Sequence, residues 1–378
     1  MTNSNNYDWI VSVNCITFNH APYILKALNG ICSQETNFPF VCVIIDDFSI
    51  DGGPEIINHF LDEQCAPAEQ RVIDSVDTED YQLLFSQHKH NKNCYFAVYF
   101  LKYNHYRARV SKSNYFTEWT KHSKYIALCE GDDYWTSSDK LQLQVNFLEE
   151  HSDYVLCFHD VKYVDVDKNY TKGNRGLLNR KNNLRADQYN RETVFNKIVF
   201  GEIAIQTLST VYRSDMYRLV PRNNVSFMMG DTNLWLDLSQ MGKIKYIDRC
   251  MGVYNIHAGS STHSPLTRLR FSLSKYEMRV YYYNKYNYTI PKAIKKQYNK
   301  SYIDYIILGR ENNTPIHNPL YEPFTLNYFE QTYNNFVLNT HLGQWLYRHI
   351  IYPVSKITNW VIVHIKMLFM VVYNSINY

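Results

Sequence analysis

The stretch Tyr125 to Trp135, Y-I-A-L-C-E-G-D-D-Y-W, constrains this chain more than any other. A short apolar run with the look of a buried strand ends abruptly in Glu130, Asp132 and Asp133. Like charges packed at the edge of a core repel unless something positive offsets them. One reading is a hard divalent cation, Mg²⁺ or Mn²⁺, held by one or two carboxylates while phosphates complete its shell. The other is a solvated acidic turn that caps a helix.

Similar strand ends recur. Trp9 to Thr17 is rich in β-branched residues, and Ala21 to Cys32 then places Ile24, Leu28 and Ile31 on one helical face. Phe40 to Ile45 is a continuous apolar run, as expected of a strand covered on both faces, and it stops at Asp46-Asp47. Asp51 and Pro54 suit the start of the helix that carries Ile56, Ile57 and Phe60. Strand, helix, strand, helix predicts a parallel α/β sheet, and such sheets gather ligands at the carboxyl ends of their strands. Thr17 to Asn19, Asp46-Asp47 and Glu130 to Asp133 are therefore expected at one edge.

Leu61 to Ser123 shows no clear period; His88 and His90 there read as a solvated turn rather than a metal pair. Ser138 and Asp139 can start a helix with Leu141, Val145 and Leu148 on one face, and Tyr154 to Val164 reads as a strand. Thr193 to Phe200 reads as a helix, Ile203 to Tyr212 as a strand-like run, Asp231 to Met241 as a helix, and Lys243 to Ile247 as the start of a strand. From about Pro265 the composition shifts to Tyr, Asn, Leu and Lys. The expected division is 1–264 as a catalytic α/β domain and 265–378 as a helical accessory region. The apolar end, Trp360 to Tyr373, is too short and too interrupted by His364 and Lys366 for a membrane span. It is read either as an interfacial helix, with Arg348, Lys356 and Lys366 near anionic headgroups, or as a helix packed on protein.

With 378 residues there is room for one large domain plus an appendage, or for two domains. A formal net charge of +3 gives no reason to expect nucleic acid as a partner. The eight cysteines include no C-x-x-C pair, and several lie in strand-like runs, so a reduced, cytoplasmic compartment is expected. Met1 to Asp8 does not read as a signal peptide. The 34 tyrosines carry no mechanistic reading.

Four pieces in order, V-S-V-N-C-I-T-F-N, I-I-D-D-F-S-I-D-G, C-E-G-D-D-Y-W and F-M-M-G-D-T-N-L-W-L, resemble the family 2 glycosyltransferases of the GT-A fold. The resemblance covers roughly Trp9 to Ser261. It implies a Rossmann-like, mostly parallel sheet flanked by helices, with a C-terminal helical extension. It also implies inverting transfer of a sugar, hexosyltransferase-type, from a nucleotide-sugar donor (a UDP-sugar) to an acceptor hydroxyl in surface polysaccharide or glycan synthesis. The cofactor would be Mn²⁺ or Mg²⁺, and the acceptor a glycan or a lipid-linked oligosaccharide at the inner face of the cell membrane.

On that resemblance Asp47 accepts hydrogen bonds from the uracil edge, Thr17 and Asn19 line the same pocket, and Asp46 supports the turn. Glu130 stands where the family's first acid, normally Asp, meets the ribose, and Asp132 where the metal is bound, with Gly131 letting the backbone turn. Asp133 is an acceptor-side or supporting candidate. Asp231 is the general base; taken alone it would be a helix cap. His257 is a metal or pyrophosphate contact, or a structural hydrogen bond. Trp135 and Trp235 stack on a sugar or belong to the core. The family's Asn-x-Gly and following cation have no clear counterpart in Asn93 to Ser113. Two rival readings are a nucleotidyltransferase, disfavoured because Cys15 to His20 holds no Gly, Lys or Arg, and a non-catalytic carbohydrate-binding or scaffold protein.

Overall fold

The computed structural model describes residues 8–66, 76–173, 179–181, 190–221, 225–257, 265–308, 318–325 and 327–355. The chain divides into two compact units: Met1–Arg222 with Asp231–His257, and Asn223–Gly230 with Ala258–Tyr378.

The first unit is α/β. Its strands are β1 (Trp9–Thr17), β2 (Phe40–Asp46), β3 (Cys65–Ala66), β4 (Val76–Asp77), β5 (Tyr81–His88), β6 (Cys94–Leu101), β7 (Ser123–Leu128), β8 (Tyr134–Trp135), β9 (Tyr154–Asp165), β10 (Tyr170–Gly173), β11 (Val211–Arg213) and β12 (Lys243–Ile256). They form one sheet in the order β3-β5-β6-β2-β1-β7-β11-β9-β12-β8, with β10 on β9 and β4 on β5. The centre, β6-β2-β1-β7, is parallel, and so is β9 beside β12. Antiparallel strands lie at the edges and at β11.

Every residue of β2 is buried, which explains its unbroken apolar run. Phe40, Cys42 and Ile44 enter one core, beneath helices Ile24–Cys32, Gly53–Gln64 and Lys140–Glu150; Val41, Val43 and Ile45 enter the other, with Trp119 of helix Ser113–Thr120. All eight cysteines are free thiols.

Two expectations change. Leu61 to Ser123, which showed no clear period, contains β5 and β6. The run Ile203 to Tyr212 is not one strand: it curls into a 3₁₀ turn at Thr207–Ser209 before the short β11. Ser209 Oγ donates to Gln206 O (2.7 Å) and Thr210 Oγ1 to Thr207 O (2.8 Å), so side-chain hydroxyls satisfy local carbonyls in place of a ladder.

The second unit is helical, with Pro265–Lys285, Lys292–Leu308, Tyr328–Asn339 and His341–Leu346. Ile303, Ile307, Tyr333, Phe336, Val337, Tyr347 and Ile351 form a core of their own. Arg348, which the interfacial reading placed near headgroups, donates from Nη2 to Ile307 O (3.0 Å). No helix among the described residues is long and apolar enough to cross a membrane. Lys356, Lys366 and the apolar end at 360–373 lie outside the described residues.

Candidate active site

The carboxyl ends of β1, β2 and β7 are tied together by backbone hydrogen bonds. Asp47 N donates to Thr17 O (3.0 Å), Cys129 N to Asn14 O (3.1 Å) and Gly131 N to Ile16 O (2.9 Å). The loop after β1 is then pinned to the loop after β2. Asn19, at φ 54°, donates its N–H to Ser49 Oγ (2.8 Å) and accepts at Oδ1 from Ile50 N (3.0 Å); Asp51 Oδ2 accepts from Ala21 N (2.8 Å). A non-glycine residue in the left-handed region needs such support to persist.

Asp46 accepts from Ser49 N (3.0 Å) and Ser49 Oγ (2.5 Å). Burial pushes its carboxyl above the ordinary range despite those bonds. Both bonds tie it to the turn that follows β2. Asp47 differs from its reading as an open acceptor for uracil. Its Oδ1 accepts from His105 N (2.7 Å), its Oδ2 from Tyr106 N (3.2 Å) and Lys112 Nζ (2.7 Å), and the residue is 2% exposed. Both oxygens are committed to organising residues 105–112. Lys112 lies in the stretch that showed no counterpart of the family's cation, and its pairing 65 positions away left no local signal.

The acid loop after β7 is clamped by β12. Asn255 N donates to Asp133 Oδ1 (2.8 Å) and Asn255 Nδ2 to Asp132 O (2.6 Å). Asp133 is 2% exposed, so it supports the loop rather than facing an acceptor. Burial, then repulsion from Asp132 and Glu130, drives its carboxyl far above the ordinary range. The clamp sets His257, two residues further on, with Nε2 at 3.1 Å from Asp132 Oδ2. His20 Nε2 lies 3.8 Å from the same oxygen. Among the described residues His20, Asp132 and His257 form a group whose ligand atoms lie within 4.8 Å of one another, a donor set that suits a metal ion. Burial raises the Asp132 carboxyl, but the His257 hydrogen bond and the nearby imidazoles more than offset it, leaving it below the ordinary range. Burial lowers His20.

Glu130 accepts at Oε2 from Thr207 Oγ1 (2.8 Å). Burial is the main cause that pushes its carboxyl up to about 7, with Asp132 and Asp231 adding repulsion. Asp231, in the first turn of helix Gly230–Met241, is raised by burial and accepts at Oδ1 from Thr232 N (2.7 Å). Its charge adds repulsion that helps raise both Glu130 and Tyr254.

The tryptophans belong to the core. Trp135 is 3% exposed, with Nε1 donating to Leu208 O (2.8 Å) and Lys140 Nζ 4.1 Å from its ring centre. Trp235 is 1% exposed and packs edge-on against Tyr212. Neither offers a free face to a sugar. Sequence reasoning missed His20, Lys112, Thr207 and Asn255 as site residues. Only His20 had a cue, in standing one residue past the T-F-N strand end.

No family model matches the chain. Uncharacterized proteins of Mycobacterium bovis and Mycobacterium tuberculosis are 29% identical over 265 residues, 69% of this chain. That match spans 62% of the relatives' own length. Among solved structures, S. aureus TarS 1-349 in complex with UDP-GlcNAc is similar at 16% identity and a TM-score of 0.48, over 89% of this chain and 78% of that one. The mannosyltransferase PcManGT from Pyrobaculum calidifontis, in complex with GDP-Man and Mn²⁺, is similar at 11% identity and a TM-score of 0.44, over 84% and 79%. Likenesses this distant carry no argument for a site, which stands on its own geometry.

Proposed function

We propose that the chain is an inverting, metal-dependent glycosyltransferase that moves a hexose from a nucleotide sugar, a UDP-sugar, to an acceptor hydroxyl on a glycan or lipid-linked oligosaccharide. One observation carries the reading. Asp132 and His257, separated by 125 positions, are brought to 3.1 Å at the carboxyl end of a parallel sheet, with Asp231 adding repulsion to the burial that raises Glu130.

Asp132 and His257 would hold the cation, which when bound neutralises a diphosphate and stabilises the departing nucleoside diphosphate. Mn²⁺ or Mg²⁺ would serve. The pinned loop of Thr17 and Asn19 borders the nucleotide, while Asp46 and Asp47 hold its walls. Glu130, held by Thr207, reaches toward the ribose. Asp231 spends Oδ1 on Thr232 N, which leaves Oδ2 to take the acceptor proton as the hydroxyl attacks the anomeric carbon from the face opposite the leaving group. A carboxylate raised by burial is a stronger base than a solvated one while it stays ionised. We assign this chemistry to residues 1–264 and an accessory role to 265–378, in a cytoplasmic protein that meets the membrane surface through its C-terminal end.

The test is binding together with transfer. UDP with Mn²⁺ should raise the melting temperature of the full chain. Asp231→Asn should keep that shift while losing transfer by about 10²- to 10⁴-fold, the usual contribution of a general base. No stabilisation by any nucleoside diphosphate with metal would remove the donor reading. Full transfer by Asp231→Asn would remove Asp231 as base.

A further inference from the structure

We propose that His20 is a third protein ligand of the cation, and that the resulting site of two imidazoles and one carboxylate binds a divalent transition ion, with Mn²⁺ as its probe, directly and in preference to Mg²⁺. The proposal shares Asp132 and His257 with the reading above and rests on it for their role as ligands, but it requires no sugar transfer.

Geometry comes first. Donor atoms about 2.1 Å from one ion stand about 3.0 Å apart when they occupy neighbouring positions of an octahedron. The His257–Asp132 edge is 3.1 Å, the His20–Asp132 edge 3.8 Å, and all three ligand atoms lie within 4.8 Å of one another, so of the three edges one already has that spacing and the His20–Asp132 edge needs a shift of less than an ångström. The two imidazole planes meet at 86° with centroids 6.0 Å apart, so the rings approach Asp132 from separate directions without stacking.

Rigidity follows from the backbone. His20 O accepts from Tyr23 N and Ile24 N (2.9 Å each), fixing it to the start of helix Ile24–Cys32, while Asn19 beside it is tied to Ser49 and Ile50. Asn255 fixes the other two members relative to each other. His20 Nδ1 is buried and has no hydrogen-bond partner among the described residues.

Chemistry then sets the preference. Mg²⁺ prefers an all-oxygen shell and keeps its waters, so it is usually held by carboxylates only once substrate phosphates join. Imidazole nitrogen suits later first-row ions, whose affinities for nitrogen sites rise from Mn²⁺ toward Cu²⁺. With a single carboxylate in the set, Mg²⁺ has little to gain from it. A transition ion has three protein donors before any nucleotide arrives.

The experiment uses the full chain stripped of metal with chelator. Mn²⁺ binding is followed by calorimetry and by loss of the free-ion electron paramagnetic signal, without nucleotide. Mg²⁺ is titrated in parallel, and Co²⁺ is added to read its visible spectrum. The wild type should bind a single Mn²⁺, at least about tenfold tighter than Mg²⁺, and give a Co²⁺ spectrum that changes on loss of one imidazole. His20→Ala should weaken Mn²⁺ by about tenfold or more, at least the loss typical when a supporting group of a metal site is removed. His20→Gln serves beside it as a variant of similar polarity, and unchanged circular dichroism checks folding. Mn²⁺ affinity and Co²⁺ spectrum unaltered in both variants, or Mg²⁺ binding as tight as Mn²⁺, would overturn the proposal. Stability shifts with UDP separate the two readings. If UDP with Mn²⁺ stabilises both His20 variants as much as the wild type, His20 is not a ligand and the donor reading stands. Should Mn²⁺ binding depend on His20 while no nucleoside diphosphate changes stability, the metal site stands and the donor reading fails.

Discussion

Lys140 is enclosed completely, and its ammonium has no hydrogen-bond partner among the described residues, only the face of Trp135 at 4.1 Å. Burial pulls its pKa down to about 7. An unfolded lysine titrates near 10.4, so between about pH 7 and 10 the unfolded chain holds more of this proton than the folded one. The resulting penalty is complete below pH 7 and fades as pH rises. Replacing Lys140 with Met, similar in length and free of charge, should therefore stabilise the protein by on the order of a few kcal/mol at pH 7. Urea unfolding at pH 7 and pH 9.5 checks it: the gap to wild type must narrow at the higher pH, and a constant gap would show that folding does not lower the pKa of Lys140. Nothing local in the sequence marks this lysine as buried, because a Lys in the first turn of an amphipathic helix is usually solvated. Glu130, Asp132 and Asp133 were legible for the opposite reason, since three acids directly after an apolar run stand out locally, although a solvated acidic turn would have shown the same pattern. His20 and Lys112 were not, because a single His or Lys gains meaning only from a partner far along the chain.

At the scale of elements, the acid loop sits where it does because Gly131 lacks a side chain. Sequence reasoning gave that glycine a backbone role, yet it is not among the residues with positive φ. Space is the reason: a Cβ there would lie 2.7 Å from both Cβ and Oγ1 of Thr17 and 3.1 Å from Ile24 Cδ1. Gly131→Ala should push the loop off β1, strain its bond to Ile16 O, and lower stability by about 1–3 kcal/mol, the usual effect of overpacking. Metal affinity should fall with it, and an alanine variant with wild-type metal binding would contradict this account. Three of the four strands at the parallel centre of the sheet were readable because β1, β2 and β7 are apolar and end in polar loops. β6 was hidden by Tyr95 and Tyr99, which are buried in the sheet but do not read as apolar beside histidine and asparagine, and β5 by Gln82, Ser86 and Gln87, which interrupt its apolar residues. The run at 203–212 misled because β-branched threonines suit strands, whereas here the Thr210 hydroxyl closes a turn and the Thr207 hydroxyl goes to Glu130.

On the scale of the whole molecule, each of the two units has an apolar core of its own. Scanning calorimetry of the full chain should resolve more than a single two-state transition, with Mn²⁺ raising only one of them; a single transition moved as a whole by the ion would show that the cores melt together. The change of composition near Pro265 was visible in the sequence, but the assignment of 223–230 to the second unit was not, since those eight residues carry no compositional mark. β12 adds a constraint of another kind. Between Ile247 and Gly252 it advances five residues while β9, from His159 to Val161, advances two. Successive side chains on a strand point to opposite faces, so the parity of this excess decides which way Asn255 and His257 look. The bulge therefore acts like a reading frame for the site: gain or loss of one residue there would turn both side chains away from Asp132, while a change of two could restore their phase. Descendants of this chain would then be expected to vary in length at that surface kink only in steps that keep the frame.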